Sequence, residues 1–405
     1  MTTNRILATL SALALGVCAA VPASAQDVVL TTAVPFLQIE PDSRAAGMGM
    51  TGVAIADNAY APFWNPAGLA GQTGTEVSFT HAPWLPALGA NLSYEHLTAK
   101  HGLGSLGTVG GHVTYFDLGT QQATDDQGNP LGEFSSYELS VGASYGYPIT
   151  ENLKVGTGAR FIYSNLTGGT RVEDLETSAG VSVGVDLGLQ YTGPDLGLGQ
   201  SSRPKFGLNL ANMGPGISYT SNNDFPDAIP TTLRFGTALD TQIDEFNRIQ
   251  FALDLNKVLV NAQRDTLSDG SIETRYDPFY KAIFSSWETR DVATVSDPEG
   301  RNCSERAAAL DANPNDESIR LCEAVSAFQS LTLGAGMEYW YNDLLALRAG
   351  YFYEDPANGN RQFLTFGTGL RYSLVGVDIS YIYALQENSP LADQLRFSLL
   401  LNIPQ

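Results

Sequence analysis

The 405-residue chain is short of cysteine (three), histidine (four), tryptophan (four) and methionine (five), and it is short of base, with 22 Lys and Arg against 43 Asp and Glu. Each shortage excludes something. A formal net charge of −21 leaves no basic face with which to neutralise phosphates, so a nucleic-acid partner is excluded. After the first twenty-five residues there is no run of about 18 apolar residues, so helices cannot carry the chain through a bilayer. Strands can, because a membrane barrel confines its apolarity to every second residue. A hydrophobic share of 43% with 41 Gly and 18 Tyr suits that option.

Residues 1–25 read as a secretory signal peptide, with Arg5 as the charged start, Ile6 to Val21 as the apolar stretch and Ala23-Ser24-Ala25 as the cleavage site. Cys18 follows Val17, a poor residue before a lipidated cysteine, and is expected to leave with the leader. The mature chain then begins at Gln26 and carries a charge of −22. Strong acidity of this kind describes solvated loops and identifies no ligand.

The strand pattern is plainest at 181–191. Val181, Val183, Val185, Leu187, Leu189 and Tyr191 share one face, and Ser182, Gly184, Asp186, Gly188 and Gln190 share the other. Residues 249–256, 364–372 and 377–383 repeat it, with Asp254, Arg371 and Asp378 on the polar face, which spares the roughly 2–4 kcal/mol of a charge against lipid. Fourteen strands are expected, at 76–83, 87–98, 103–117, 134–147, 152–165, 176–192, 204–212, 231–241, 246–257, 328–341, 344–354, 361–373, 376–386 and 393–403. With both ends of the barrel in the periplasm, alternate connections must be short turns, and 147–152, 341–344 and 373–376 obey this. The long connections 118–133, 213–230 and 258–327 then lie outside. Tyr339, Trp340, Tyr341, Tyr351, Tyr353, Tyr381 and Tyr383 sit near strand ends, where interfacial girdles belong.

The expected architecture is therefore all-β: a 14-stranded antiparallel transmembrane barrel over residues 75–405, with an amino-terminal plug segment at 26–74 and a long extracellular insert at 258–327. The stretch 35–71 is rich in Gly, Ala and small polar residues and keeps its few large residues at its ends, so it needs an enclosure, and the barrel lumen is the one available. Arg44 is the sole base between Arg5 and Lys100 and should pair with an inward acid, since a buried unpaired charge costs several kcal/mol. Phe63 and Trp64 precede the turn pair Asn65-Pro66 and are expected to pack on the barrel wall and fix the exit of the plug into the first strand.

Two runs within this segment, Pro41 to Gly49 (PDSRAAGMG) and Trp64 to Ala70 (WNPAGLA), resemble the amino-terminal signature of the PorV family, a branch of the FadL-like outer-membrane barrels. The pattern Ile283 to Trp287 (IFSSW) is similar to PorV as well, although Glu288 to Val292 read ETRDV where a D-A-P-G-G sequence is expected. The resemblance implies a non-enzymatic part of the type IX secretion system without a cofactor. Its partners would be the giant translocon barrel, the carboxy-terminal signal domains of secreted cargo, the surface sortase complex and outer-membrane lipid. The alternative is a FadL-like channel for hydrophobic small molecules, which should line part of its lumen with large apolar residues; the inner faces read here are polar.

The insert is too long for an ordinary hairpin loop and needs its own organisation or its own partner. Its aromatic cluster, Phe279, Tyr280, Phe284 and Trp287, has no lipid to cover it and must either fold inward or serve a partner. Ser304 to Leu310 has the start and composition of a short helix. Cys303 and Cys322, the two cysteines left after leader removal, form an even pair in an oxidising compartment and read as a disulfide.

Motifs that imitate chemistry are weaker than they look. GMGMTG at 47–52 and GLGSLG at 102–107 lack the strand–helix setting of dinucleotide binding, and the serines of GASYG at 142–146 and GVSVG at 180–184 fall mid-strand, away from any elbow. His81, His96, His101 and His112 occupy the first three strands without a carboxylate or thiol cluster, and Asp125 to Asn129 lacks the spaced acids of a calcium loop, so no metal is expected.

Overall fold

The computed structural model describes residues 32–404 except 89–90, 125–126, 128, 168–170, 173–174, 221–224, 267–271, 289, 294–321 and 387–388. The fold considered below belongs to one compact unit, 29–291 with 324–405. The expected leader, the Ser304 to Leu310 helix and the Cys303 to Cys322 disulfide lie outside the described residues.

Fourteen strands close into one antiparallel barrel in chain order. They are β1 (Thr75–Trp84), β2 (Leu92–Gly102), β3 (Thr108–Thr124), β4 (Pro130–Pro148), β5 (Leu153–Asn165), β6 (Gly180–Thr192) and β7 (Ser201–Met213). The second half comprises β8 (Thr232–Gln242), β9 (Asn247–Val258), β10 (Leu331–Tyr341), β11 (Leu345–Glu354), β12 (Gln362–Tyr372), β13 (Val375–Ala384) and β14 (Gln394–Ile403). Each strand pairs with its neighbours in sequence, and β14 returns to β1 with Ile403 opposite Thr75. No helix among the described residues is long and apolar enough to cross a membrane.

The alternation does what membrane barrels require. On β6 every odd residue from Val181 to Tyr191 faces outward and is exposed, while Ser182, Asp186 and Gln190 are buried inside. One expected girdle residue departs from this: Trp340 is buried in the interior. The cause is the pleat itself, since Tyr339 and Tyr341 face out and a residue between them must face in.

The largest boundary differences from expectation are in β2 and β3: both begin five residues later than 87 and 103, and β3 runs on to Thr124, seven residues past 117. Pro86–Leu88 takes a short 3-10 turn ahead of β2. The glycine-rich run after β2 forms the turn into β3, with Gly104 and Gly107 at φ of 64° and 92°.

Residues 32–74 sit within the barrel as a string of single turns: Pro35–Gln38, Ser43–Ala46, Ala61–Trp64 and Pro66–Leu69. Inward glycines of the wall give this segment room. A Cβ on Gly350 would stand 2.1 Å from Gly49 N, and one on Gly156 would stand 2.2 Å from the Pro66 carbonyl carbon, so at both places only glycine admits the plug backbone. Gly350→Ala is therefore expected to leave a heat-modifiable barrel in detergent while exposing 32–74 to protease. Retained protection of that segment would show that the wall yields around the added methyl.

Candidate functional site

A segment made of single turns leaves most of its peptide groups without partners of its own, and inside a membrane they must be met by something else. The wall side chains meet them. Asp254 Oδ2 accepts from Gly52 N (2.7 Å) and Val53 N (2.9 Å), Thr365 Oγ1 accepts from Gly49 N (2.8 Å), and Ser398 Oγ accepts from Ser43 N (3.0 Å). In the other sense, Thr98 Oγ1 donates to Ala59 O (2.7 Å), Gln190 Nε2 to Ala54 O (2.8 Å), and Asn209 Nδ2 to Trp64 O (2.9 Å).

Arg44 is buried and lies at the centre of an ionic network. Its Nε and Nη2 donate to the two oxygens of Glu338 on β10 at 2.9 and 2.8 Å, and its Nη1 donates to Asp57 Oδ1 within the plug at 2.5 Å. Glu338 is shared with Arg348 on β11, whose Nη1 reaches Asp378 Oδ1 on β13 at 2.7 Å. Asp378 in turn accepts from Arg371 Nη2 on β12 at 2.5 Å. Three guanidinia thus meet three carboxylates, and the plug is tied to four successive strands of the interior. Sequence reading placed Arg44, Arg371 and Asp378 inside but missed Glu338 and Arg348, although both carry the signal of a charge at an inward strand position.

Phe63 and Trp64 pack edge to face at 5.1 Å and are both buried. Their wall partner, missed in the sequence, is Arg234 of β8, whose guanidinium stands 4.4 Å over the Phe63 ring and donates to Phe63 O at 2.6 Å. Asn65 caps the next turn by accepting from Ala67 N (3.1 Å) and donates to Leu189 O on β6 (2.9 Å), and Pro66 opens that turn against Gly156. Above the aromatic pair lies an outward-opening cavity of about 380 Å3 lined by Met50, Phe63, Trp64, Arg234, Phe352 and Arg361, among others.

The four histidines divide by the pleat. His96 and His112 stack inside at 5.7 Å, whereas His81 bonds Glu95 (2.7 Å) and His101 bonds Thr75 (2.7 Å) on the outer face. Among the described residues no group of His, Cys, Asp and Glu could hold a metal ion.

Phe279, Tyr280 and Phe284 of the insert's aromatic cluster fall on a short helix, Phe279–Ser285, with Trp287 in the turn after it; the helix follows two paired strands, Ala262–Thr266 and Ile272–Tyr276. Asp277 anchors this helix: it accepts from Lys281 Nζ (2.6 Å), Ser285 Oγ (2.7 Å) and Asn261 Nδ2 (3.0 Å). Burial pushes the Asp277 carboxyl up, but these three hydrogen bonds outweigh it and hold the group below the usual carboxylate range. Phe279 is half-buried, lines the groove below and packs edge to face with Tyr280 at 5.7 Å, but the outer rings are not covered by a core. Phe284 is 77% exposed and Tyr280 65%, with Phe328 beside the start of β10 at 75%. Trp287, less exposed, sits 4.9 Å from Lys257 Nζ. Under the helix runs a groove of about 370 Å3 formed with residues of 214–216 and 225–231, lined by Phe225, Ile229, Leu259, Val260 and Ala282 among others.

A closed 14-stranded barrel with lipid-facing apolar residues, short turns at one end and a hydrogen-bonded plug defines an outer-membrane β-barrel. The family model for the type IX secretion system protein PorV matches residues 22–265, and the chain belongs to that family. No curated protein matches. Among solved structures it is similar to the toluene transporter TbuX of Ralstonia pickettii, at 15% identity over 90% of this chain and 98% of that one, with a TM-score of 0.44. The toluene transporter TodX of Pseudomonas putida gives 15% identity over 89% and 96%, with a TM-score of 0.45. A FadL homologue of Pseudomonas aeruginosa gives 10% over 94% and 100%, with a TM-score of 0.42.

Two outcomes follow from the geometry. Arg44→Met removes the cation from a buried guanidinium–carboxylate pair and should cost about 3–5 kcal/mol of plug seating, whereas the added change Glu338→Gln should recover part of that loss. Protease release of 32–74 in denaturant measures both, and additive losses would mean that the pair is uncoupled. For the outer helix, a carboxyl held below its unfolded value stabilises above the unfolded pKa and loses that contribution as the pH falls through the folded one. Protease resistance around 277–287 should therefore hold at neutral pH and fall in acid below the ordinary Asp range, and Asp277→Asn should flatten this profile.

Proposed function

We propose that this outer-membrane member of the type IX secretion family receives the carboxy-terminal signal domains of cargo at the giant translocon barrel and passes them to the surface sortase complex, with no covalent chemistry of its own. The observation that supports this reading is the exposed aromatic helix on the long-loop side, where Tyr280 and Phe284 stand free of the fold beside an apolar groove. Solvated rings of this size are costly for a surface that meets no partner, and Tyr and Trp are frequent interface anchors. Asp277 and the paired strands hold them in place before any partner arrives, which lowers the ordering cost of binding.

A second reading, a FadL-like channel for hydrophobic small molecules, is favoured by one feature, the outer cavity above Phe63 and Trp64. Below that cavity the plug fills the lumen and takes up its polar groups, which leaves such a ligand no continuous apolar route.

The test is Tyr280→Ala with Phe284→Ala, both solvent-facing, in cells whose barrel remains heat-modifiable. Cargo at the cell surface and recovery of the translocon with the barrel should both fall by about tenfold or more, equivalent to the loss of one hot spot. Wild-type levels of both would overturn the platform. Uptake of a hydrophobic solute into liposomes holding the purified protein would instead favour the channel.

A further inference from the structure

We propose that the cleft beneath the plug, at the short-turn end of the barrel, is a binding site for a carboxylate that carries an apolar group. This end faces the periplasm in an outer-membrane barrel. The cleft has a volume of about 350 Å3 and is walled by Arg248 (β9), Trp340 (β10), Arg371 (β12) and Asn402 (β14), with Leu374 and Leu400 as an apolar side.

The cations here are not equally committed. Arg44 and Arg371 each hold a buried carboxylate. Arg248 does not: its nearest carboxylate is Asp343, 3.5 Å away and 83% exposed, and its Nε has no acceptor in the protein. A contact of that kind, to a solvated acid beyond hydrogen-bond length, offsets little of the cost of a half-buried guanidinium. Arg248 stands 5.7 Å from the Trp340 ring, and Arg371 stands 5.4 Å from the same ring, so the indole holds both cations at the cleft. The Trp340 N–H also finds no acceptor in the protein. An under-neutralised guanidinium with a planar fork, beside polar Asn58, Ser373 and Asn402, recognises an oxyanion.

The other lining groups narrow the class. Asp57 and Glu76 border the same cleft and would repel a dianionic phosphate more than a single carboxylate. Leu374, Val375 and Leu400 offer the attached part of the ligand an apolar wall. Two sources share this chemistry, the carboxyl end of a polypeptide and a free carboxylic acid. The site is remote from the outer aromatic helix and does not depend on its role.

The test uses the full-length protein in detergent and phenylglyoxal, which modifies accessible arginines, with Arg248 modification read by peptide mass spectrometry. A short peptide ending in leucine with a free carboxyl should slow modification about tenfold or more at saturation, and the same peptide with an amide end should not. Hexanoate protecting as well as the peptide acid would assign free carboxylic acids as the source, and protection by the peptide acid alone would assign a polypeptide end. Equal rates with acid and amide would overturn the proposal. Direct binding of the labelled peptide acid gives the second arm: Arg248→Gln should weaken it about tenfold with heat-modifiability intact, and unchanged binding by that variant would also overturn it.

Discussion

A peptide group in the middle of a membrane has no water to fall back on, and that constraint governs this molecule. The barrel strands satisfy theirs across the sheet. The plug has only four isolated turns, so its N–H and C=O groups depend on side chains of the wall, and the inner face is polar for that reason. The lumen is polar as a dedicated solvent for one particular segment. The glycines on the same face are the geometric half of this arrangement, since a side chain at Gly156 or Gly350 would hold the plug too far from its partners.

The ionic network adds register to solvation. Hydrogen bonds to backbone groups are forgiving, because a plug shifted by one residue would find other amides to offer. Arg44 cannot shift: its fork fits Glu338 with two bonds, and Glu338 and Asp378 are already positioned by Arg348 and Arg371. Buried ion pairs seldom add much net stability but strongly penalise arrangements that separate them. The position of a single plug base therefore selects one seating among several of similar hydrogen-bond count.

Much of this could be read from residues alone, and the reason is periodicity. Lipid on one side and a polar interior on the other force a period of two, so strand number, loop parity and the inward placement of Asp254, Arg371 and Asp378 were legible. The same rule, applied at Trp340, would have turned that residue inward; its company of tyrosines suggested a girdle instead. Strand starts near 87 and 103 were misplaced because glycine-rich alternation continues through a turn without a visible break. The partners of Arg44 and Phe63 were not legible, since contacts across about 290 and 170 residues leave no local trace. Nor was the work of the glycines, which depends on what lies opposite them.

The division of labour along the barrel axis follows from the seal. With plug and network filling most of the interior, the lumen offers a partner little free surface, so the recognition proposed above falls to the two ends. At the outer end, Tyr280 and Phe284 are left exposed on a helix pinned through Asp277; at the inner end, Arg248 has only a solvated acid at 3.5 Å where its neighbours hold buried carboxylates. Each stands out from its own surroundings, since the plug rings Phe63 and Trp64 are covered and the other arginines of the inner cleft hold buried carboxylates. Where wall side chains meet so much of the irregular backbone inside the membrane, features of this kind at the two ends are where selection for a partner is expected to be visible.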